Sequence, residues 1–137
     1  MRKVFPLLIG WMVFLTCICS AASTDWKYVD ADGQRQSYYV DMKHVKMKGD
    51  TGTSNLRIDH PKDGYSYTIY RLEFKDLKDG SFRVVLSHGD LHNMYGNLIG
   101  RYKEDTKGVV KEGTILWKAC QMLADAANSK EEGRERE

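Results

Sequence analysis

Hydrophobic and polar positions alternate along most of this chain, and the period lengthens only near its end. Trp26 to Val29 is a short strand, and Asp32-Gly33 after it is a hairpin signal. Ser37 to Val40 is a second strand by its aromatic and β-branched content. Asp41 to Lys48 is ambiguous. A helical turn capped by Asp41, followed by a strand from near Val45, accommodates it. Gly49 to Gly52 is a turn, and Thr53 to Asp59 a strand with Leu56 and Ile58 on one face. After a loop from His60 to Gly64, Tyr65 to Phe74 is the longest strand candidate. Tyr65, Tyr67 and Ile69 share one face; Tyr70, Leu72 and Phe74 share the other. Arg71 and Glu73 continue the first face as polar positions, so the apolar side switches near Ile69 and Tyr70. Such a switch predicts a bulge, or a strand leaving the edge of the core.

Lys78-Asp79-Gly80 makes the next turn. Phe82, Val84 and Leu86 then alternate with Arg83, Val85 and Ser87. Gly89 to Gly96 is a polar connection, and Asn97 to Tyr102 is a last strand. Thr114 is placed to N-cap a helix running to about Ala127. Leu116, Cys120, Leu123 and Ala127 form one helical stripe, widened by Ile115, Ala119 and Met122. Ser129 to Glu137 has no apolar residue and reads as a charged, flexible tail. The predicted fold class is α+β: an antiparallel sheet of about six strands with a C-terminal α-helix packed on one face.

The N-terminus stands apart from this pattern. Arg2 and Lys3 precede an uncharged run from Val4 to Ile18, and Ser20-Ala21-Ala22 follows. That is the layout of a secretory signal peptide, cleaved after Ala22 or Ala21. The run is shorter than the ~20 residues that span a bilayer, which favours removal over a retained anchor. Thr16 before Cys17 and Ile18 before Cys19 fit poorly the small residue expected before a lipidated cysteine. The expected product is a free exported protein, periplasmic or secreted, with no stable membrane anchor. Its organisation is signal peptide 1–22, one domain over 23–128, and the tail 129–137.

Removing the signal changes the composition. Arg2 and Lys3 account for the formal net charge of +2, so the remaining chain is charge-balanced. No basic excess is left to argue for nucleic acid or an anionic membrane. Cys120 is then the one remaining cysteine, so no internal disulfide forms. It is either buried and inert or free to pair between chains, and the helical stripe favours burial.

Candidate chemistry is sparse. His88, Asp90 and His92 alternate, so on an extended segment all three point one way and could hold a zinc ion. The competing reading is a polar turn built on Gly89, Asp90 and Asn93, and this is preferred. No metal or other cofactor is expected. Asp30, Asp32, Asp41, Asp59, Glu73 and Asp90 are scattered, without an evident catalytic pairing. No G-x-S-x-G elbow, phosphate loop or H-E-x-x-H helix occurs, so no enzymatic activity is expected. Tyr65 and Tyr67 flank a loop on a face that turns polar at Arg71. Tyr65, Tyr67 and Arg71 are therefore the candidate contact surface, for an unknown protein partner or a second copy of the chain.

The order of motifs resembles the surface-adhesin protein E family of bacterial exported proteins. Trp26 follows the signal, and Tyr38-Tyr39-Val40-Asp41 is an aromatic strand ending in Asp, leading by a short segment to a Lys-Gly turn. Phe82-Arg83-Val84-Val85 is the basic-apolar strand, and Gly113-Thr114 with Cys120 closes the pattern over residues 25–123. The resemblance implies an antiparallel sheet with a C-terminal helix and a binding role; some members bind host extracellular-matrix proteins. The family commonly pairs a central-strand cysteine with the C-terminal one. Here Phe74 stands at the first position, where it can pack against the helix instead. The shared motifs are structural and assign no ligand-binding residue.

Overall fold

The computed structural model describes residues 24–136, with side chains to Glu131; the signal segment 1–22 lies outside the described residues. Eight strands precede one helix: β1 (Trp26–Ala31), β2 (Ser37–Asp41), β3 (Lys46–Lys48), β4 (Thr51–His60), β5 (Ser66–Asp76), β6 (Phe82–His92), β7 (Leu98–Arg101), β8 (Thr106–Val110) and α1 (Ile115–Arg136). All pairings are antiparallel. The order across the sheet is β1-β2-β4-β5-β6-β7; β3 also pairs with β4, and β8 with β6. The fold is therefore α+β, six strands wide, with the helix on one face.

Period-two alternation decides which face is covered. The register aligns Val40, Leu56 and Tyr70, then Ser54, Leu72 and Leu86, then Gly52, Phe74 and Val84. Helix α1 packs on this side against β1 to β4 and buries Ala119, Cys120, Leu123 and Ala127. Phe74 is fully buried, edge-on to Phe82, in the same core cluster as Cys120. Its ring lies over Gly52: a Cβ there would stand 2.7 Å from Phe74 Cε1, and closer still to Cζ.

The helix is fixed at several points. Thr114 Oγ1 accepts the Trp117 N–H at 3.3 Å, the predicted cap. The Trp117 indole N–H donates to the Gly80 carbonyl at 2.8 Å, and Lys118 Nζ lies 2.6 Å from the Asp30 carboxylate. Lys130 Nζ donates to the carbonyls of Met42 and Lys43 at 3.1 and 2.9 Å. The segment expected to be a flexible tail is helical to Arg136. Extending an existing helix costs little, Lys, Glu and Arg are good helix formers, and Lys130 ties this stretch to the turn after β2.

Four further local differences have physical causes. Asp41 does cap a turn, its Oδ1 accepting the N–H groups of Lys43 and His44 at 3.2 Å, but the turn does not become a helix. The turn before β4 is shorter than expected, because Thr51 and Gly52 already pair with β3 and β5. The side switch in Tyr65–Phe74 is not a bulge in β5. Ser66, Thr68, Tyr70, Leu72 and Phe74 keep one face throughout, and the irregularity lies opposite Tyr70, in β6 at His88-Gly89. Strand β8 has no predicted counterpart; its residues are mostly exposed, and backbone pairing with β6 defines it.

Candidate functional site

Three loops meet one end of the sheet: 32–36 between β1 and β2, 61–65 between β4 and β5, and 93–97 between β6 and β7. Short polar side chains fold the first and third locally, and backbone bonds close the second, from the Asp63 N–H to the His60 carbonyl and from the Ser66 N–H to the Asp63 carbonyl. Asp32 Oδ1 accepts the N–H groups of Gln34 and Gln36 at 2.9 and 3.0 Å, and the Tyr38 hydroxyl donates to Oδ2. Partial burial works to raise the Asp32 carboxyl, but these donors outweigh it and hold it below its usual range. Asn93 Oδ1 accepts the N–H groups of Tyr95 and Asn97, both at 3.0 Å. Tyr65 adopts a left-handed backbone conformation, φ 58°, so it ends the loop instead of starting β5.

Between these loops, on the face opposite α1, lies a groove of about 420 Å³ lined by Ser37, Arg57, Asp59, Pro61, Tyr65, Tyr67 and Met94. Ser37, Asp59 and Tyr67 of this lining share one cross-strand row, which continues through His92 to Leu98. The Arg57 guanidinium sits 4.0 Å over the Tyr67 ring, and His92 stacks on the same ring at 4.9 Å. These neighbours come from strands on opposite sides of β5, so Tyr67 is held between them and offers the groove mainly its edge. Arg57 Nε is in turn 2.6 Å from Asp59. Tyr65 (69% exposed), Met94 (56%) and Tyr95 (79%) stand open at this end, near exposed Leu98 and Ile99.

The candidate contact residues thus separate. Tyr65 and Tyr67 line the groove, whereas Arg71 lies four residues along β5, roughly 13 Å away, aligned with Asn55 and Ser87. Pro61, Arg57, Met94 and Tyr95 are the residues that sequence reasoning missed. The apolar pair Met94-Tyr95 inside a polar connection was the available signal.

The zinc arrangement fails on geometry. The bulge, with His88 at φ 53°, breaks the alternation that would align His88 with Asp90 and His92. His88 turns to Ser87 Oγ at 3.1 Å, Asp90 lies 3.4 Å from Arg101, and His92 stacks on Tyr67. Among the described residues no three His, Cys, Asp or Glu side chains gather as a metal site. Gly89 is at this bulge because Tyr70 and Tyr102 stack across it; a Cβ there would stand 2.6 Å from Tyr70 Cε1. Burial pushes the Cys120 thiol up to about 12, which keeps it protonated.

Comparison of the chain with protein-family models, curated proteins and solved structures gives no match. Among the described residues no helix is long and apolar enough to cross a membrane.

Proposed function

We propose that this is an exported, non-catalytic binding domain that engages a protein partner through the loop end of its open sheet face. The observation that carries the reading is the gathering of Tyr65, Met94, Tyr95, Leu98 and Ile99, all exposed, beside a groove rimmed by Arg57 and Asp59. Contiguous exposed apolar side chains rimmed by polar ones mark interaction sites, and tyrosine gives contact area at low entropic cost. Tyr65 and Tyr67 keep their place in this surface; Tyr67 serves as its support. A non-catalytic role agrees with the use made of the acidic groups, since Asp32, Asp41 and Asp79 cap turns and Asp30 and Asp90 face cations. The signal-like N-terminus supports a location in the periplasm or outside the cell, in line with the resemblance to surface-adhesin protein E.

The test is a photo-crosslinking amino acid placed at Tyr65 or Met94 in the native host. Each position is expected to give one discrete adduct, of twice the protein's mass if the partner is a second copy. The same probe at Asp125, on the exposed side of α1, is the control. No adduct from Tyr65 and Met94, or the same adducts from Asp125, refutes the assignment.

A further inference from the structure

The other half of the open face carries different chemistry. The register places Lys46 and Lys48 of β3, Arg71 and Lys75 of β5, Arg83 of β6 and Lys107 of β8 on it. All six cations are exposed, and among the described residues none pairs with a carboxylate. Two cross-strand rows hold five of them: Lys48, Thr51, Lys75, Arg83 and Val109, and beside it Lys46, Thr53, Glu73, Val85 and Lys107. Glu73 is the one exposed carboxylate within these rows. Two nearby acidic groups are engaged elsewhere. Asp41 is fully buried and bound by Lys43, His44 and Asn55, and Asp50 lies 3.1 Å from Lys78.

At about 4.8 Å between strands and 3.4 Å per residue, the cations spread over a patch roughly 19 Å by 13 Å. The balanced charge of residues 23–137 therefore hides a strong local segregation. Six unpaired like charges on one flat face repel each other and focus a positive potential outward. A polyanion relieves that repulsion.

The patch composition distinguishes among polyanions. Val109 is the only exposed apolar side chain in these rows, so there is little to bury in a bilayer. The six cations are not interleaved with aromatic rings, on which nucleic-acid bases stack. Thr51, Thr53, Asn55 and Ser87 instead set hydroxyl and amide groups between the charges. That alternation fits a ligand whose charged groups are separated by hydroxyls. We propose that this face binds a linear acidic polysaccharide through its sulfate or carboxylate groups. The proposal goes beyond the protein-contact reading and uses different side chains.

The test is fluorescence anisotropy with labelled heparin and alginate oligosaccharides, using the signal-free protein. At least one should bind at low salt, and Lys75→Gln with Arg83→Gln should weaken it at least about tenfold and flatten its salt dependence. Lys62→Gln with Lys103→Gln, an equal charge change off the patch, should stay within about twofold, and both pairs should keep the parent melting temperature. The proposal is overturned if neither polysaccharide binds, or if both pairs lose affinity equally. Tighter binding to anionic phospholipid vesicles, or to a charge-matched single-stranded oligonucleotide, also overturns it. Tyr65→Ala should retain polysaccharide affinity, so failure of the protein-contact reading and failure of this one give different results.

Discussion

Replacing Gly52 by Ala tests the packing of the Phe74 ring against β4. Gly52 pairs with Phe74 across β4 and β5 on the covered face. An added Cβ would lie 2.5 Å from Met47 Sδ and 2.7 Å from Phe74 Cε1. Met47 is flexible and half-buried, so it can give way at little cost. Phe74 cannot, because its ring is fully buried and already edge-on to Phe82. The new methyl falls about an ångström short of ordinary contact, and such overpacking costs about 1–3 kcal/mol. Gly52 has no left-handed φ, so Ala also gains about 0.4–1 kcal/mol by restricting the unfolded chain. The net expectation is a loss of about 1–2 kcal/mol, or roughly 5–10 °C in melting temperature. Urea unfolding gives the free energy, with an unchanged slope as the sign that the surface exposed on unfolding is unaltered. The decisive arm is a double-mutant cycle. In a Phe74→Leu background the ring is gone, and Gly52→Ala should cost at least about 1 kcal/mol less. A neutral Gly52→Ala, or the same cost in both backgrounds, would refute the reasoning.

Two further outcomes follow from buried polar groups. Asp41→Ala removes a fully buried carboxylate that accepts from two backbone N–H groups, His44 Nδ1 and Asn55 Nδ2. It should destabilise by about 3 kcal/mol; a loss below about 1 kcal/mol in urea unfolding would mean the turn holds without it. Cys120 has a thiol raised to about 12 from 9.0, so its contribution to stability is complete below pH 9 and is lost as pH rises toward 12. Cys120→Ala should flatten that alkaline loss in thermal melts, leaving the later part due to Tyr38 and Tyr70. Burial raises both phenols, reinforced by Asp32 at Tyr38 and by Tyr102 at Tyr70. An identical alkaline limb in the variant would show that the thiol does not titrate there.

The covered face was legible because its signals are local. Phe82, Val84 and Leu86 alternate within one strand, and Cys120, Leu123 and Ala127 repeat within one helix. The His88-Gly89 bulge was misplaced because the ring pair packed over it comes from elsewhere in the chain, Tyr70 of β5 and Tyr102 just after β7. Strand β8 escaped notice because Thr-Lys-Gly-Val-Val has little buried surface, and its pairing partner lies some twenty residues away. At the groove, Tyr65 and Tyr67 could be read from one strand end, but joining Met94 to them required the order of β4, β5 and β6. The basic face was hidden for a related reason. Its six cations sit on four strands, interleaved with core-facing residues such as Met47, Leu72, Phe74 and Val84, and the charge of residues 23–137 sums to balance.

The helix has a consequence for the timing of folding. It contributes Ala119, Cys120, Leu123 and Ala127 to the core, and Lys118 and Lys130 reach back to Asp30, Met42 and Lys43, nearly ninety residues upstream. The strands form largely by neighbouring hairpins, but their apolar side stays uncovered until the helix, which follows all of them in the chain, is free to dock. Every growing chain therefore passes through a stage in which Val40, Leu56, Leu72 and Phe74 face solvent, the species most prone to aggregate. Docking of α1 is what ends that stage.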